Sequence, residues 1–384
     1  MERTKIQQIF DFSWDSFKKS HNVPISHLNA AHAIIRCKTE DMGYNISTCD
    51  DCGHTEIHYN SCRNRNCPNC QAILKEVWID KRRAEVIDAP YYHVVFTVPH
   101  ELNPLIYANQ KKLYTLLHKA SSETLLELSK DKKYLGATPG IIQVLHTWGQ
   151  KLNYHPHIHC IVSGGGLTPD HKLKKKSGKF FMPVKIIRNV FKGKFLFFLQ
   201  KLFSCGELAF PKSVRNLSDP AEWDSFRDKL YKTEWCPYIK ETFNGFGNAI
   251  EYLGRYTHRI AITNARIHTV TPDSVSFSAK DYKTGETNVT TIDNNEFIRR
   301  LLMHVLPSGF QKIRYYGFLN NRYRKQNLKE IFTLQGHQKF KSLYSGMNME
   351  DLLLAVWGYR INVCRCCGSK GTMRSMGRVY PRRC

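Results

Sequence analysis

Two pairs of cysteines near the N-terminus restrict the fold more than any other feature of the sequence. Cys49 and Cys52 form one C-x-x-C motif and Cys67 and Cys70 form a second, with 14 residues between them, in the stretch CDDCGHTEIHYNSCRNRNCPNC. Each motif turns two thiolates toward one point, and two motifs at this spacing fit a tetrahedral zinc ion. The sequence therefore predicts a zinc ribbon whose structural Zn²⁺ is held by these four cysteines.

Nine of the 13 cysteines lie outside this predicted site, and four of them stand near it or in a motif of their own. Cys37 and Cys62 are close to it in sequence, and the alternatives for them are to replace a ligand or to support a second ion. Cys364 and Cys367 form another C-x-x-C near the C-terminus, without a clear second pair beside it. We expect these last two thiols to be reduced and to carry no metal.

The charge of the chain indicates a polyanionic partner. Lys plus Arg is 57 and Asp plus Glu is 33, so the net charge is +24. Such an excess on a folded chain of 384 residues is typical of nucleic-acid binding, and a basic surface kept for solubility is the alternative. No G-x-x-x-x-G-K-[ST] motif occurs, so we expect no nucleotide cofactor.

The cellular location follows from the N-terminal residues and the cysteines. The first residues lack the apolar stretch and the cleavage site of a secretory signal. No apolar run approaches the roughly 18 residues of a membrane helix, so no membrane partner is expected. In a reducing cytoplasm, clustered cysteines bind metal instead of pairing. We therefore expect a protein of the bacterial cytoplasm that is associated with the nucleoid.

The pattern of apolar residues predicts an α+β chain. Helical spacing fills residues 1–36, 71–88 and 103–130. Strands are predicted at 91–99 and in the segment GIIQVLHTWGQ, which we expect to pair with HIHCIVSGGG in a hairpin. Further along, NAIEYLGRYTHR (248–259) reads as a helix, and IAITNARI (260–267) as a strand.

Three histidines alternate at the start of the second hairpin strand, in LNYHPHIHCIVSGGG (152–166). His157 and His159 are two residues apart on a predicted strand, so both side chains leave the same face. Two neutral imidazoles on one face make half of a divalent-metal site. In a hairpin that turns near 149–154, His146 lies opposite them and is our third ligand, with Gln150 in reserve. The alternative is a structural histidine pair.

Two tyrosines, Tyr252 and Tyr256, are four residues apart on the predicted helix and so share one face. Arg255 and Arg259 occupy the neighbouring stripe. A phenolate can attack phosphorus while guanidinium groups hold the non-bridging oxygens, so this arrangement suits phosphoryl transfer. The alternative is that the two rings pack in the core.

Other basic and aromatic residues are candidates for DNA contact. Arg63 and Arg65 lie between the cysteine motifs and are placed to meet phosphates; the alternative is a purely structural ribbon without direct DNA contact. Residues 311–329 alternate basic and aromatic side chains, among which the candidates are Arg314, Tyr315, Tyr316 and Tyr323. Aromatic faces of this kind stack the bases of single-stranded DNA.

Several long motifs follow one another in one order along the chain. They are C-x-x-C-G followed by NSCRNRNCPNCQ, then HTWGQKLNYHPHIHCIVSGGGL, EYLGRYTHRIAITNARI and EFIRRLLMHVLPSGFQKIRYYGF. These motifs resemble the two-tyrosine rolling-circle transposases of the insertion sequence ninety-one family, within the HUH (His–hydrophobe–His) endonuclease superfamily. The resemblance covers nearly the whole chain. At Asn66 the chain departs from the family pattern, where a histidine is usual.

The resemblance implies an antiparallel sheet flanked by helices, preceded by a helical and zinc-ribbon domain. It implies that His157 and His159 hold Mg²⁺ or Mn²⁺ and that Tyr252 and Tyr256 attack DNA. We divide the chain into a DNA-binding zinc domain (1–88), a catalytic domain (89–335) and a basic, cysteine-containing tail (336–384).

The reaction that follows is metal-dependent cleavage and rejoining of single-stranded DNA at element ends and target, through a 5′-phosphotyrosine intermediate. The rivals are a zinc-ribbon DNA-binding regulator without catalysis, and a metal-dependent hydrolase of small substrates. A replication initiator or relaxase shares the same chemistry.

Overall fold

The computed structural model describes residues 3–176, 182–235, 237–242, 254, 261–281, 284–336 and 342–381. Its longer helices are α1 (Lys5–Ser20), α2 (Ile25–Arg36), α3 (Ala72–Arg83), α4 (Asn103–Ala108), α5 (Gln110–Lys130), α6 (Val184–Ser204), α7 (Pro220–Lys232), α8 (Asn294–Leu302), α9 (Arg324–Leu334) and α10 (Met349–Trp357). Its strands are β1 (Tyr44–Cys49), β2 (Thr55–Tyr59), β3 (Tyr91–Thr97), β4 (Thr138–Trp148), β5 (Tyr154–Leu167), β6 (Leu173–Lys175), β7 (Tyr238–Thr242), β8 (Ile267–Val270), β9 (Ser274–Lys280), β10 (Thr287–Asp293), β11 (Ile313–Gly317) and β12 (Met373–Val379).

The largest sheet has the strand order β11-β4-β5-β3-β7, with β6 paired to the end of β5. Its pairs are antiparallel. The α+β fold with antiparallel sheets is therefore confirmed. The β4–β5 hairpin is also confirmed, and its turn is closed by the amide of Gly149, which donates to the carbonyl of Asn153 (3.0 Å).

The two faces of this sheet carry different cores. Strand residues alternate between faces, so Phe96 and Ile158 point to one side and pack with Leu117 of α5 and Phe191 of α6. Other residues of the same strands point to the opposite side and pack against α3 and α9. They include Ile142, Val144 and Ile161, in a cluster with Ile79 and Phe332.

The N-terminal helices form a further core with the small sheet β10-β9-β8 and with α8. Helix α1 begins with a capping box in which Thr4 and Gln7 satisfy each other's backbone amides. Its apolar face, which includes Ile6, Phe10 and Trp14, is buried.

The strand predicted at 260–267 is wrong for most of its length. Strand β8 starts only at Ile267, and Asn264–Arg266 is a 3₁₀ turn. The reason is tertiary: Asn264 Oδ1 accepts the amide of Ile6 (3.0 Å), and the Arg266 guanidinium donates to the carbonyls of Ser278 and Gln150. These contacts hold the backbone in a turn, although its side chains favour a strand.

The third sheet joins the two ends of the chain. Its order is β12-β1-β2, so the hairpin β1–β2 gains its third strand from residues 373–379. Residues 336–384, which we predict as a separate tail, therefore contribute a strand to the N-terminal ribbon. Among the described residues, no helix is long and apolar enough to cross a membrane.

Candidate metal centres and nucleic-acid interface

Three histidines converge on the face of the large sheet that also carries Val144 and Ile161. His157 and His159 lie on β5, and His146 lies directly opposite His157 on β4. Their ligand atoms are all within 4.8 Å of one another, and the Nε2 atoms of His157 and His159 are 3.1 Å apart. The structure thus brings together the three residues that the sequence singles out, and we call them the histidine centre.

The ring nitrogens of the histidine centre are oriented by partners outside it. The Nδ1 of His157 donates to the carbonyl of His155 (2.7 Å), which leaves its Nε2 as the lone-pair nitrogen. Burial lowers the pKa of His157 to about 3, so this imidazole is neutral at pH 7. Neutral imidazole is the form that binds a metal ion.

Sequence reasoning missed His93, which supports the centre from β3. Its Nε2 lies 2.8 Å from the Nδ1 of His159. A ligating Nε2 on His159 requires that its Nδ1 carry the proton and donate it to His93, the arrangement that orients most metal-bound histidines. The signal was a polar residue inside the apolar strand YYHVVFTVP.

Trp148 and Lys312 lie beside the centre. The Trp148 ring stacks on His146 at 4.4 Å between centroids, and the Lys312 ammonium lies 5.0 Å from that ring. Burial, with the nearby charge of Arg65, lowers the pKa of Lys312 to about 7. Both side chains line a cavity of about 180 Å³ next to α8.

The cysteines are grouped differently from our prediction. Cys67 and Cys70 converge with Cys37 and Cys62, whereas Cys49 and Cys52 converge with the C-terminal pair Cys364 and Cys367. The single site on Cys49, Cys52, Cys67 and Cys70 is therefore wrong. Cys37 and Cys62 flank the base of the β1–β2 hairpin, which is closed by the amide of Lys38 donating to the Asn60 carbonyl (3.1 Å), while Cys49 and Cys52 lie at its tip. A strand advances about 3.3 Å per residue, so the six residues of β1 separate the two groups.

The first cysteine cluster, Cys37, Cys62, Cys67 and Cys70, fits a structural zinc ion. Its Sγ atoms lie within 4.8 Å of one another, and those of Cys62 and Cys70 are 3.7 Å apart. A tetrahedron with Zn–S bonds of about 2.3 Å has S···S edges of about 3.8 Å. The amides of Asn64 and Asn69 donate to Cys62 and Cys67. Asn66 bonds instead to Asn64, so four thiols complete the set without it.

The predicted DNA contacts lie in different environments. Arg63 is exposed. The Arg65 guanidinium donates to the carbonyls of Leu306, Pro307 and Phe310 (3.1, 2.7 and 2.6 Å). It therefore ties the ribbon to the loop before β11, which is an intramolecular role and not the predicted phosphate contact.

Residues 314–316 do not line one groove, because neighbours on a strand point to opposite faces. Arg314 and Tyr316 lie on the α5 side, where Arg314 donates to Thr115 (3.2 Å) and Tyr316 packs on the core. Tyr315 lies on the histidine side and is held between the guanidinium groups of Arg82 and Arg324, each 5.1 Å from its ring. Tyr323 is the exposed ring of the predicted set, 49% accessible.

The candidate nucleophiles Tyr252 and Tyr256, with Arg255 and Arg259, lie outside the described residues, as does most of the predicted helix 248–259. Gly254, between the two tyrosines, is described and buried. A Cβ at this position would overlap the side chain of Ile79. Ile79 belongs to the apolar cluster on the histidine side of the sheet.

Comparison with known proteins shows the family. The model described as "Transposase zinc-binding domain" matches residues 9–98, and the model described as "Putative transposase" matches residues 140–327. The first range contains the first cysteine cluster, and the second contains the histidine centre together with both tyrosines.

Two named relatives agree with these models. The chain is 41% identical over 336 residues to "Putative transposase y4qJ" of Sinorhizobium fredii (strain NBRC 101917 / NGR234), covering 86% of this chain and 84% of the relative. It is 28% identical over 307 residues to "Transposase for insertion sequence element IS801" of Pseudomonas savastanoi pv. phaseolicola, covering 78% and 72%. No solved structure matches significantly. The chain therefore belongs to the insertion sequence ninety-one family of transposases, enzymes that act on DNA and carry an N-terminal zinc-binding domain.

Proposed function

We propose that this transposase cleaves and rejoins single-stranded DNA during rolling-circle transposition, by the chemistry of HUH endonucleases. In this proposal His146, His157 and His159 hold a divalent ion, and Tyr252 and Tyr256 are the nucleophiles. The convergence of the three imidazoles on one face of the antiparallel sheet carries the proposal.

The histidine centre fits a divalent ion that also needs to contact substrate. Two of its rings are oriented by His155 and His93, and three protein ligands leave coordination positions for phosphate oxygens. Nitrogen ligands suit Mn²⁺ better than Mg²⁺, which prefers oxygen. Such an ion, when bound, would polarise the scissile phosphate and stabilise charge on its oxygens.

The tyrosines supply the covalent step. The phenolic oxygen forms a bond to phosphorus, the bond from phosphorus to the 3′ oxygen breaks, and the phenolic proton ends on that leaving oxygen. The energy of the phosphodiester is kept in the 5′-phosphotyrosine link, so rejoining requires no nucleotide cofactor. A second tyrosine allows a second strand to be attacked, as transfer to a new target requires.

The position of Gly254 supports bringing the tyrosines to the histidines. Gly254 packs against Ile79, and Ile79 shares an apolar cluster with Val144 and Ile161. Val144 is two residues from His146 on β4, and Ile161 is two residues from His159 on β5, so these side chains leave the same face as the histidines. Gly254, midway between Tyr252 and Tyr256 in sequence, therefore contacts a side chain of the apolar cluster that packs on the histidine face.

Single-stranded DNA is the proposed partner, and the net charge of +24 supports it. Exposed groups that suit a nucleic-acid strand are Arg63 and the pair Arg322 and Tyr323, in which the guanidinium lies 5.1 Å from the ring centroid. Because phosphate contacts dominate such affinity, binding should weaken steeply with added salt.

The test is covalent capture of a labelled single-stranded oligonucleotide carrying the element end, in the presence of Mn²⁺, on a denaturing gel. We expect an adduct with the wild type and none with the Tyr252→Phe/Tyr256→Phe variant, which keeps both rings. Each single tyrosine variant should still cleave but should fail in complete transposition. An adduct mapped to any other residue, or undiminished cleavage by the double variant, contradicts the proposal.

The metal part of the proposal has its own matched pair of variants. His159→Ala should reduce adduct formation more than about 100-fold, since even changes outside the ligand set cost about 10–100-fold. The affinity of this variant for the oligonucleotide should stay within about twofold of the wild-type affinity, because basic residues supply most of the binding. His100→Ala removes an exposed imidazole and should behave as wild type. If all variants bind DNA and none, including wild type, forms an adduct, the protein is a non-catalytic DNA binder.

A further inference from the structure

The second cysteine cluster consists of Cys49, Cys52, Cys364 and Cys367, and it joins the two ends of the chain. Cys52 and Cys364 are 312 positions apart in sequence, and Cys49 and Cys367 are 318 apart. All four Sγ atoms nevertheless lie within 4.8 Å of one another. The zinc-binding family model ends at residue 98, so it does not include the C-terminal pair.

The two halves of this cluster have the same backbone geometry. Each is a C-x-x-C-G turn, at 49–53 and 364–368, whose glycine has a positive φ (68° for Gly53, 76° for Gly368). In both turns the glycine amide donates to the carbonyl of the first cysteine at 2.9 Å. The amide of that cysteine donates at 2.9 Å to the residue after the glycine, His54 in one turn and Ser369 in the other. In a zinc ribbon, two such C-x-x-C turns face each other, and each provides two of the four zinc ligands.

The sulfur distances across the two turns fit a tetrahedral ion. Cys49 and Cys367 are 3.7 Å apart and Cys52 and Cys364 are 3.6 Å apart, against an edge of about 3.8 Å for four thiolates on zinc. A disulfide needs about 2.05 Å, and all four cysteines are free. The hydroxyls of Thr372 and Ser369 lie 3.3 Å from the sulfurs of Cys49 and Cys367, close enough to donate to thiolates.

Apolar burial does not hold the C-terminal segment in place. Six of the seven residues of β12 are exposed and none is buried. Helix α10 has no buried residue, and no described residue after 341 belongs to an apolar core cluster. The ion pair of Arg374 with Asp50 is exposed, and such pairs contribute little. Small ribbons without a core usually require a metal.

We propose that Cys49, Cys52, Cys364 and Cys367 bind a second structural zinc ion, in contrast to the metal-free thiols that the sequence predicts at Cys364 and Cys367. This ion docks residues 364–381 on the β1–β2 hairpin. The proposal stands on the geometry of the ribbon and does not depend on the cleavage chemistry. It makes the C-terminal segment part of the zinc-binding domain, with both chain ends closed on one metal.

The test is elemental analysis of the full-length reduced protein together with hydrogen exchange. Wild type should carry two zinc ions per chain, and Cys364→Ser/Cys367→Ser should carry one. Cys366→Ser is the matched control, because Cys366 is exposed and lies between the two ligands but outside the cluster; it should retain two.

Hydrogen exchange reports the docking. In the double serine variant the amides of β12 should exchange as in an unstructured chain, while those of Leu343 and Tyr344 stay protected because they donate to Asp80 on α3. Neither Cys364 nor Cys367 belongs to an apolar core cluster, so loss of folding elsewhere is not expected. One zinc in wild type, two in the double variant, iron in place of zinc, or unchanged protection of β12 in that variant would each overturn the proposal.

Discussion

The histidine centre and the first cysteine cluster are both built around a β-hairpin, but their ligands occupy different parts of it. The histidines lie on the paired strands β4 and β5, where the period of two and the register decide which side chains meet. The cysteines lie beyond the ends of β1 and β2, at the base of the hairpin. Motif spacing along the chain therefore identifies the histidine partners but not the cysteine partners.

The two centres also differ in what surrounds them. Cys37 and Cys67 belong to the same apolar cluster as Ile6 and Ile34 of the N-terminal helices, so a metal there is part of the core. The histidine centre lies on a sheet whose two faces have cores of their own. We therefore expect the metal ion of the first cysteine cluster to stabilise the fold and the metal ion of the histidine centre to serve the chemistry.

The largest effect should come from breaking the first cluster. Cys67→Ser should abolish its zinc and unfold the N-terminal module, because zinc binding contributes on the order of 10–16 kcal/mol to such modules. Zinc content and limited proteolysis within residues 1–70 measure this. Cys205→Ser, at an exposed thiol, should change neither. A Cys67→Ser protein with full zinc content and an uncut N-terminus would show that the cluster is not a metal site.

A smaller effect should follow from removing the support of the histidine centre. His93→Ala deprives His159 Nδ1 of its acceptor, and we expect about a 10–100-fold rise in the Mn²⁺ concentration needed for half-maximal cleavage, with the fold intact. His93→Gln, whose amide oxygen can accept the same hydrogen bond, should recover most of the loss. Equal defects in both variants, or a lower maximal rate at unchanged metal dependence, would contradict a role through His159.

The smallest effect concerns a histidine that is buried but has no place in a metal site. His118 lies on α5, and its Nδ1 is 2.8 Å from the side-chain amide group of Gln143. Burial, with the charge of Arg314, lowers the pKa of His118 from 6.5 to about 3. Below about pH 6.5 the unfolded chain therefore takes up a proton that the folded chain does not. Stability should fall by about 1.4 kcal/mol per pH unit from this group as the pH decreases toward 3.

His118→Gln should remove that contribution, so its urea midpoint should decline less between pH 6.5 and 5.5 than that of wild type. Added Mn²⁺ should leave this difference unchanged, which separates the effect of burial from that of ligation. Parallel midpoint curves for the two proteins would show that His118 does not carry the pH dependence.

Local patterns were enough for the helices of residues 1–36, the strand at 91–97, the β4–β5 hairpin and its three facing histidines. For the helices and the hairpin, the deciding interactions lie within about 20 residues, so period and turn chemistry determine the outcome. The strand at 91–97 is indicated by its own β-branched and aromatic side chains, although its partner strands are distant in sequence. The large sheet and its antiparallel order agree with the expectation from family resemblance.

Contacts between distant segments decided the rest. Asn264 and Arg266 hold a turn at a position where the side chains favour a strand. The Arg65 guanidinium donates its hydrogen bonds to carbonyls of the loop at 306–310. His93 reaches His159 across a strand pairing that spans 66 positions. The cysteine pairs show the same rule most plainly, because a C-x-x-C motif specifies how two thiols turn but not which other two they meet. Which cysteine pairs converge is decided by the β1–β2 hairpin and by the pairing of β1 with β12, which brings the ends of the chain together.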